Sequence, residues 1–416
     1  MPSVDTGAPA RTGASPERFP SSPRRISLAL FAVGLATFAL LFSTQPLLPA
    51  LSADFGVTPG QASWTVSAAT IALAVAVLPL SALSERFGRR TLMTGSLAVA
   101  VAVALALPFA PSMEVLIALR ALQGAAIAGI PASATAYLAE EVRPAALVGS
   151  IGLFVAGNSV GGMTGRVLTG WVAEGWGWRT GLAAVGALAL LCALAYRLLI
   201  PRAHNFAPAS LRPAELLNTV RGHLSDGLLV RLYTLGLLFM AVFGAVYTVV
   251  GYRLTSEPFG LSQGLAGSVF VIYLVGTVSS AAAGRLTGRL GRRGALYLAI
   301  GATATGLLLT LGDTLAAVLL GLVLVTAGFF AGHAVASGSV GRTAKTGRAQ
   351  ASALYQMAYY VGSSLGGTLG AIAYHAAGWS ATVAFSLTAL VLAAGVTLYA
   401  TRRAVVRRRL EVARGC

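Results

Sequence analysis

Residues 80–90 read LSALSERFGRR, and residues 283–293 read AGRLTGRLGRR. Each stretch places a cluster of arginines between two long apolar runs. A second pair of segments, NSVGGMTG at 158–165 and SSLGGTLG at 363–370, repeats at nearly the same offset of about 200 residues. The two pairs together indicate a duplicated unit, in which the second half of the chain repeats the architecture of the first.

The composition is typical of a chain that is surrounded by lipid. Of its 416 residues, 56% are hydrophobic and 10% are charged, whereas soluble domains carry roughly 25% charged residues. The formal net charge is +17, but the basic residues lie in short clusters between apolar runs. Because no nucleic-acid-binding motif accompanies them, they indicate membrane topology and not a nucleic-acid partner. Cys192 and Cys416 have neither disulfide nor metal-site spacing.

Apolar runs long enough to cross a bilayer recur along the chain. A spanning helix needs roughly 20 apolar residues, and in lipid such a run must be helical because every backbone group has to be bonded internally. We therefore predict an all-α membrane protein with twelve transmembrane helices, at residues 26–49, 62–83, 91–111, 115–138, 146–172, 178–200, 230–252, 264–286, 294–312, 314–338, 350–375 and 379–401.

Lysine and arginine concentrate in alternate connections between these runs. The two termini, the central segment and the loops after the second, fourth, eighth and tenth runs hold 26 of the 30 basic residues. The opposite loops hold only Arg179 and Arg253, beside the acids Asp54, Glu114, Glu174, Glu257 and Asp313. Basic loops stay in the cytoplasm. We therefore predict a multi-pass protein of the cell inner membrane with both termini cytoplasmic.

The duplication and the central polar stretch divide the chain. We predict two pseudo-symmetric six-helix bundles, at 26–200 and 230–401, joined by a cytoplasmic linker at 201–229. A disordered arm at 1–25 precedes them and a basic tail at 402–416 follows. Parallel repeats of this kind place a substrate cavity at mid-membrane between the halves, with alternating access by rocking. One chain contains both halves, so a monomer is expected.

The arginine-rich stretches are similar to a signature of the major facilitator superfamily, Gly-x-Leu-x-Asp-Arg-x-Gly-Arg-Arg, which lies between its helices 2 and 3. The first stretch has Ser81 in place of the first Gly and Glu85 in place of Asp, and the second has Gly288 at the acidic position. In the fourth run, residues 120–124 read RALQG and match the family's Arg-x-x-Gln-Gly. Spaced glycines in the fifth run resemble the antiporter motif, although Arg166 replaces its proline.

From about residue 26 to 401 the chain thus resembles the major facilitator superfamily, and most of all its twelve-span drug:proton antiporter branch with the YnfM-like inner-membrane transporters. The resemblance implies that the loop between helices 2 and 3 latches the two halves on the cytoplasmic face when the cavity opens outward. The gating motif would then comprise Glu85, Arg86, Gly88, Arg89, Arg90, Arg289, Gly291, Arg292 and Arg293. Alternatively, these arginines only enforce topology.

Small residues let helix backbones approach closely in lipid. We therefore predict that the spaced glycines of the fifth run pack that helix against the other half; they are Gly152, Gly161, Gly165 and Gly170. Generic close packing is the alternative.

Two arginines lie inside the spans at similar depth, Arg120 in the fourth run and Arg166 in the fifth, while no Asp or Glu lies within a span core. A charge at membrane depth costs roughly 2.5–3.5 kcal/mol and marks a candidate functional site. Arg120 with Gln123, and Arg166, are candidates for binding substrate or relaying a coupling ion. The alternative is a structural hydrogen-bond anchor, with part of the cost relieved by snorkelling toward Glu114 or Glu174.

Proton coupling would need a titratable group in the cavity. His333 in the tenth run is a candidate, because free histidine titrates near pH 6.5; the alternative is that it is a packed, hydrogen-bonded side chain. Glu140 and Glu141 are further candidates, and the alternative for them is that they are loop charges. Apolar walls with a few polar groups suit a ligand pocket. Polar and aromatic residues at mid-span are candidates to line it: Gln45, Trp64, Asn158, Tyr247, Tyr273, Tyr355, Gln356 and Tyr359. The alternative for each is an interfacial anchor or a hydrogen bond between helices.

These features predict a secondary transporter of small molecules. We expect efflux of drug-like or sugar-like compounds in exchange for protons; the alternative is an importer or exchanger of a small anionic metabolite, motivated by the two intramembrane arginines. A membrane enzyme or receptor is disfavoured, since no acid–base or metal cluster lies at membrane depth, no loop is large enough for a catalytic domain and no phosphate-binding Gly-Lys-Ser/Thr loop occurs. No cofactor is predicted. The expected partners are substrate, protons and the lipid bilayer.

Overall fold

The computed structural model describes residues 22–206, 208, 213–344 and 346–414. The predicted arm therefore lies almost entirely outside the described residues, as do the last two residues of the predicted tail. In the described part, nine helices are long and apolar enough to cross a membrane. Three of these contain non-helical residues near their middle, at Gly177, at Gly291 and at Ala377 with Gly378. Each of the three is two spans joined without a loop, which confirms the twelve predicted helices.

The first six spans, α1–α6, form the first half. They are α1 (Pro23–Phe55), α2 (Pro59–Phe87), α3 (Arg89–Phe109), α4 (Met113–Glu141), and the two parts of Pro144–Leu199, which are α5 (144–176) and α6 (178–199). Proline and side-chain caps set several starts. Thr58 accepts a hydrogen bond from the Gln61 N–H in a capping box just before Pro59, and the Ser112 side chain caps α4.

The remaining six spans form the second half. They are α7 (Gly227–Thr255), the two parts of Gln263–Leu309, which are α8 (263–290) and α9 (292–309), α10 (Leu315–Thr343), and the two parts of Arg348–Arg414, which are α11 (348–376) and α12 (379–414). Between the halves, the predicted linker contains a separate helix, Pro213–Ser225. At 13 residues and with Glu215, Arg221 and His223 in its sequence, this helix is too short and too polar to span a bilayer.

Two spans are interrupted where proline occurs. In α1 the α-helix ends at Leu41 and a short 3-10 turn, Gln45–Leu47, leads into Leu48–Phe55. In α4 the helix breaks after Ile127 and restarts at Pro131. Proline has no N–H to donate and disfavours helical geometry in the preceding residue. The interruption in α1 leaves backbone carbonyl groups of its last helical turn without an intrahelical donor.

The two halves pack in the same way. In the first half, glycines of α5 place its backbone against carbonyl oxygens and Cα atoms of α1; in the second, glycines of α11 do the same against α7. The contacting pairs are Gly157 with Phe31, Gly161 with Leu35, Gly165 with Ala39, Gly362 with Leu237, Gly366 with Ala241 and Gly370 with Ala245. Any side chain at these glycines would collide with backbone. The repeated GG segments therefore build one helix pair per half.

The predicted glycine contact with the other half is correct at only one position. Gly161 and Gly165 face α1 of their own half, and a Cβ on Gly152 would meet nothing within 4 Å. Gly170 does contact the other half, where its Cβ would lie 3.2 Å from the Cα of Gly267 on α8. The antiporter-like spacing thus describes mainly packing inside the first half.

The two arginine-rich stretches share a backbone conformation. Gly88 ends α2 at φ 97°, and Gly291 ends α8 at φ 70°. Residues with a side chain rarely adopt positive φ, so glycine at this position allows the abrupt turn into the next span. We call the end of the bundle that carries these loops the basic end, and the end that carries Asp54 and Glu174 the acidic end.

The halves are joined by hydrogen bonds close to the acidic end. Tyr252 on α7 reaches α1, with its Oη 2.6 Å from the Ser52 Oγ and 2.9 Å from the Leu48 carbonyl oxygen. Glu174 on α5 accepts from the Gly264 N–H at 2.6 Å and from the Ser262 hydroxyl at 2.8 Å. A third contact joins α2 and α11, where Ser67 and Thr368 hydroxyls are 2.8 Å apart. Three helix pairs therefore close the bundle at this end.

Candidate functional site

Arg166 lies at the junction of the two halves and is only 3% exposed. Its Nε donates to Gln45 Oε1 at 2.7 Å, and one Nη donates to the Gly162 carbonyl at 2.5 Å. Gln45 lies in the interrupted segment of α1, and its side-chain oxygen accepts the Arg166 hydrogen bond there. Among the described residues, no carboxylate lies within 4 Å of this guanidinium. The positive charge is thus held by neutral oxygen acceptors alone.

Aromatic rings from both halves surround the same guanidinium. Its central carbon lies 4.4 Å from the ring centre of Phe42 on α1 and 4.9 Å from the ring centres of Phe270 and Tyr273 on α8. Each contact falls within the range of a cation–π interaction. Arg166 therefore contacts residues of both halves of the bundle.

An aromatic wall extends from Tyr273 into the second half. Phe243 on α7 lies 5.2 Å from Tyr273 and stacks on Phe329 of α10 at 3.9 Å between ring centres. Phe329 in turn stacks against His333, 5.9 Å away. These rings are buried, and aromatic side chains of this kind are suited to contact a ligand with a flat or apolar body.

His333 lies at the far side of that wall. Its Nδ1 is 2.9 Å from the Tyr355 Oη, and its ring centre is 4.9 Å from that of Tyr359. Tyr355 and Tyr359 are one helical turn apart on α11, and both face the histidine, as their spacing predicts. The structure therefore brings three of the predicted candidates into one cluster.

Arg120 has a different environment, although it lies at similar depth. It is fully buried inside the first half, where its Nε donates to the Thr65 carbonyl at 2.8 Å and one Nη to the Leu40 carbonyl at 2.7 Å. The guanidinium also donates to the Leu41 carbonyl and to Gln123 Oε1. These groups include the Leu41 carbonyl in the last turn before the interruption of α1, whereas the Leu40 carbonyl also accepts from Ser43. The predicted snorkelling toward Glu114 or Glu174 does not occur for Arg120 or for Arg166. Both guanidinium groups bond buried acceptors instead.

Two candidate residues have a buried polar atom without a protein partner, and one of them contacts Arg166. The Tyr273 hydroxyl and the Asn158 Oδ1 are buried without a hydrogen bond. The hydroxyl belongs to a ring that contacts the guanidinium, whereas Asn158 faces α1 near Gly34. A buried polar group without a partner is costly. The Tyr273 hydroxyl therefore adds a donor to the site that a ligand is able to use.

The first-half residues of the predicted gating motif lie at the basic end, whereas Arg289, Gly291, Arg292 and Arg293 lie in the second half, where Arg292 and Arg293 line a crevice with Arg231. The Arg89 Nε donates to Glu140 Oε1 at 3.0 Å, and its Nη1 donates to the Ser84 hydroxyl at 2.7 Å. Glu85 is 45% exposed, 4.0 Å from Arg89. Glu141 accepts from the backbone N–H groups of His204 and Asn205 in the linker. Glu140 thus binds Arg89 of the gating motif, and Glu141 binds the linker backbone. Both had been predicted as loop charges or proton sites.

Two other candidates, Gln356 and Trp64, are exposed and are not part of the Arg166 cluster. Gln356 is exposed on α11, and Trp64 is 44% exposed on α2. Tyr247 does join the wall: its ring lies 4.9 Å from that of Tyr273, and its Oη is 2.6 Å from the Thr326 hydroxyl. Within the described residues no group of His, Cys, Asp and Glu side chains is arranged to hold a metal ion.

Sequence reasoning did not find Phe42 and Phe270, the two phenylalanines next to Arg166. Phe42 precedes Gln45 by three residues, so the helical interruption that places Gln45 beside Arg166 also positions this ring. Phe270 lies in a 3-10 turn, Val269–Ile272, that helical periodicity does not describe. In the sequence, these two phenylalanines look like ordinary apolar residues of a span. Only the tertiary structure shows that they lie beside Arg166.

Comparison with known proteins places the chain in a family. The profile of the Major Facilitator Superfamily matches residues 26–337 and 232–414. The inner membrane transport protein YnfM of Escherichia coli (strain K12) is 41% identical over 353 residues, which cover 85% of each chain. The uncharacterized MFS-type transporter YybF of Bacillus subtilis (strain 168) is 36% identical over 362 residues, 87% of this chain and 90% of YybF.

A solved structure confirms the fold. The bacterial homolog of the human lysosomal transporter Spinster, in an inward-facing and unoccupied conformation, superposes with a TM-score of 0.75 at 17% identity, covering 94% of this chain and 98% of that one. Profile, relatives and architecture agree, and the protein is a multi-pass membrane transporter and not an enzyme. The chain belongs to the major facilitator superfamily.

Proposed function

We propose that this transporter moves small organic anions across the membrane by alternating access and binds their anionic group at Arg166. The observation that carries the proposal is a buried guanidinium at the junction of the halves, with no carboxylate within 4 Å among the described residues. A buried charge without a counter-charge is unfavourable. An anionic substrate would supply that counter-charge.

The aromatic wall suggests the rest of the substrate. Phe270 and Tyr273 touch the guanidinium, and Phe243 and Phe329 continue from them toward His333. Ligand pockets in proteins bind an apolar body by burial and fix its orientation with a few polar groups. We therefore propose a carboxylate or similar anion attached to an aromatic or apolar body, with the Tyr273 hydroxyl as a further donor.

The transport cycle follows from where the halves touch. They are joined near the acidic end, by pairs such as Ser52 with Tyr252 and Glu174 with Gly264. With the predicted orientation, in which the basic end and both termini are cytoplasmic, this conformation is closed to the outside. Rocking of the halves about the site would separate these pairs and expose Arg166 to the outside.

The organisation that accompanies this cycle is also a proposal. We infer that the six-helix bundles at 26–200 and 230–401 move as units, connected by the linker at 201–229. We further infer that the protein acts as a monomer in the inner membrane, since both halves of the cavity belong to one chain.

A second candidate function is proton-coupled efflux of drug-like or sugar-like compounds. The observation in its favour is His333, which is hydrogen-bonded to Tyr355 at 2.9 Å and joined to the substrate wall by stacking on Phe329. Histidine is able to take up and release a proton near neutral pH. Proton exchange at His333 is compatible with an anionic or a neutral substrate. The class of substrate that is transported therefore decides between the two candidate functions.

Transport by purified protein in proteoliposomes tests the proposal. The panel pairs aromatic monocarboxylates with their neutral amides and adds a lipophilic cation and a pentose, each with and without an imposed proton gradient. We expect carboxylates to be transported and their amides to be excluded. Loss of one charged hydrogen bond in Arg166→Gln should weaken apparent affinity about tenfold or more, and Arg166→Lys should retain part of it.

The matched control is Arg179→Gln, which removes an exposed arginine paired with Asp54 at the acidic end. It should transport like the wild type. Equal transport of carboxylates and amides would refute anion recognition. Gradient-driven accumulation of the cation or pentose, unaffected by Arg166→Gln but lost in His333→Gln, would establish the proton-coupled candidate instead.

A further inference from the structure

A long apolar groove runs along the outside of the first half, between α3 and α6. It encloses about 380 Å³. Its lining is apolar over most of its length and includes Leu97, Val101, Leu105, Leu190 and Leu194. Leu105 is 39% exposed and Leu194 is 52% exposed, and in a membrane span such surface contacts lipid chains. The groove is formed by helices other than those that hold Arg166.

A polar pocket continues the groove at the basic end. It encloses about 250 Å³ and is lined by Arg90, Thr91, Thr94, Gly95 and Arg197. Thr94 and Arg197 line both cavities, so that one continuous surface changes from basic and hydroxyl-bearing to apolar along α3. From Arg90 to Leu105 this helix rises by about 22 Å. The apolar lining, from Leu97 to Leu105, accounts for about 12 Å of that rise, which is most of the roughly 15 Å thickness of one leaflet of the hydrocarbon core, so it has the length to accommodate much of an acyl chain.

The arginines of this pocket have hydrogen-bonding capacity to spare. The Arg90 Nε is buried and has no hydrogen-bond partner. Among the described residues, no carboxylate lies within 4 Å of Arg90 or Arg197. The neighbouring Arg89, by contrast, is paired with Glu140 at 3.0 Å. Two basic side chains without an acidic partner therefore face a pocket that opens to the side of the bundle.

We propose that this groove binds an anionic phospholipid of the surrounding bilayer. The phosphate would lie between Arg90 and Arg197, with the Thr91 hydroxyl as a further donor, and one acyl chain would follow the leucines along α3 and α6. Basic pockets between membrane helices on the cytoplasmic side are suited to anionic head groups. Arginine offers a bidentate fork to phosphate oxygens.

The internal repeat allows this pocket to be compared with the corresponding position in the second half. In the second half, a crevice among α7, α9 and α12 is lined by Arg231, Arg292 and Arg293 together with leucines such as Leu232 and Leu296. It encloses only about 20 Å³, against about 250 Å³ in the first half. Both halves thus place arginine at the start of their third helix beside an apolar surface, but only the first has room for a head group.

Photocrosslinking of the full-length transporter tests the site. The protein is reconstituted in nanodiscs with phosphatidylglycerol that carries a diazirine on its acyl chain, and labelled peptides are mapped by mass spectrometry. Parallel samples contain the same probe on phosphatidylcholine. We expect phosphatidylglycerol to label residues within 94–105 and 190–197, and phosphatidylcholine to label them much less.

Two variants and one control make the test specific. Arg197→Gln removes one phosphate contact and should lower labelling by about fivefold. Gly95→Leu should do so by filling the head-group pocket, since a Cβ at Gly95 meets no atom within 4 Å and the variant is sterically tolerated. Gly301→Leu on α9 is the matched control, because its Cβ is equally free of neighbours and it does not line the groove.

The outcomes separate the possible occupants. Selective labelling that falls in both variants but not in the control supports the proposal. Equal labelling by both lipids, or labelling that neither variant changes, overturns it. Inorganic phosphate is added in a further sample, and full protection by it would overturn the proposal in favour of a soluble anion. The test does not depend on the transported substrate, so it stands or falls separately from the proposed function.

Discussion

Arg120 and Arg166 show how one residue type serves two purposes at the same membrane depth. Arg120 directs its donors to carbonyl oxygens of Leu40, Leu41 and Thr65 and to Gln123, all in the first half. Arg166 is held by one amide, one carbonyl and three ring faces that come from both halves. Arg120 therefore closes the interruption of α1, whereas Arg166 is placed to meet a ligand.

This difference predicts that Arg120→Gln acts on folding and Arg166→Gln acts on transport. Without the guanidinium, the Leu41 carbonyl and the Gln123 Oε1 lose their donor, at a cost of about 1–3 kcal/mol for each, and the Leu40 and Thr65 carbonyls lose one of their hydrogen bonds. We expect Arg120→Gln to lower the thermal unfolding midpoint in detergent and the yield of monodisperse protein. Arg166→Gln should leave both near wild type, as it removes an unpaired buried charge.

Tryptophan fluorescence during thermal unfolding provides the measurement, with Arg179→Gln as a surface control. A stable Arg120→Gln protein that has lost transport would contradict the structural role and restore the substrate role predicted from the sequence. That prediction identified both arginines because charge at membrane depth is visible in the sequence. It did not distinguish them, because the free carbonyls of α1 and the rings of α8 lie far away along the chain.

Glycines decide how the helices meet. The runs on α5 and α11 let these helices lie against α1 and α7, with backbone contacts at positions such as Gly161 and Gly366. Gly170 is different because it meets Gly267 across the junction of the halves. Glycine spacing in the sequence predicted close packing, but the partner of each glycine depends on which face of α5 is turned toward which neighbour.

Gly170→Leu is therefore expected to prevent closure at the acidic end. A Cβ at this position already lies 3.2 Å from the Gly267 Cα, so a larger side chain must push α5 and α8 apart. Spin labels at Ala53→Cys and Glu257→Cys, in a background with both native cysteines replaced by serine, report the separation by pulsed electron resonance. We expect a longer distance in the variant.

Gly152→Leu is the matched control on the same helix, since a Cβ there has no neighbour within 4 Å. Its distance distribution should equal that of the parent. An unchanged distribution in Gly170→Leu would mean that the glycine pair does not hold the two halves together. The apolar lengths of the spans were predictable from the sequence, whereas the interruptions in α1 and α4 were not, because long hydrophobic runs hide short non-helical turns.

At the scale of the whole molecule, the two ends of the bundle are in different states. The acidic end is closed by pairs between the halves, such as Tyr252 with Ser52. At the basic end, Arg89 of the gating loop bonds Glu140 and Ser84 of its own half. The gate that the family resemblance implies would form in the opposite conformation, when the basic ends approach each other.

Replacement of Glu85 tests whether the gate forms in that opposite conformation. It is 45% exposed and only 4.0 Å from Arg89, so in the present conformation it contributes little to stability. An ion pair formed in only one conformation shifts the equilibrium by its differential energy. If Glu85 pairs with the other half in the outward-open conformation, Glu85→Ala should lower turnover several-fold while abundance in the membrane stays normal. Glu114→Ala, an acidic residue at the opposite end, should leave both unchanged, and wild-type turnover in Glu85→Ala would refute the latch and leave its arginines as topology signals.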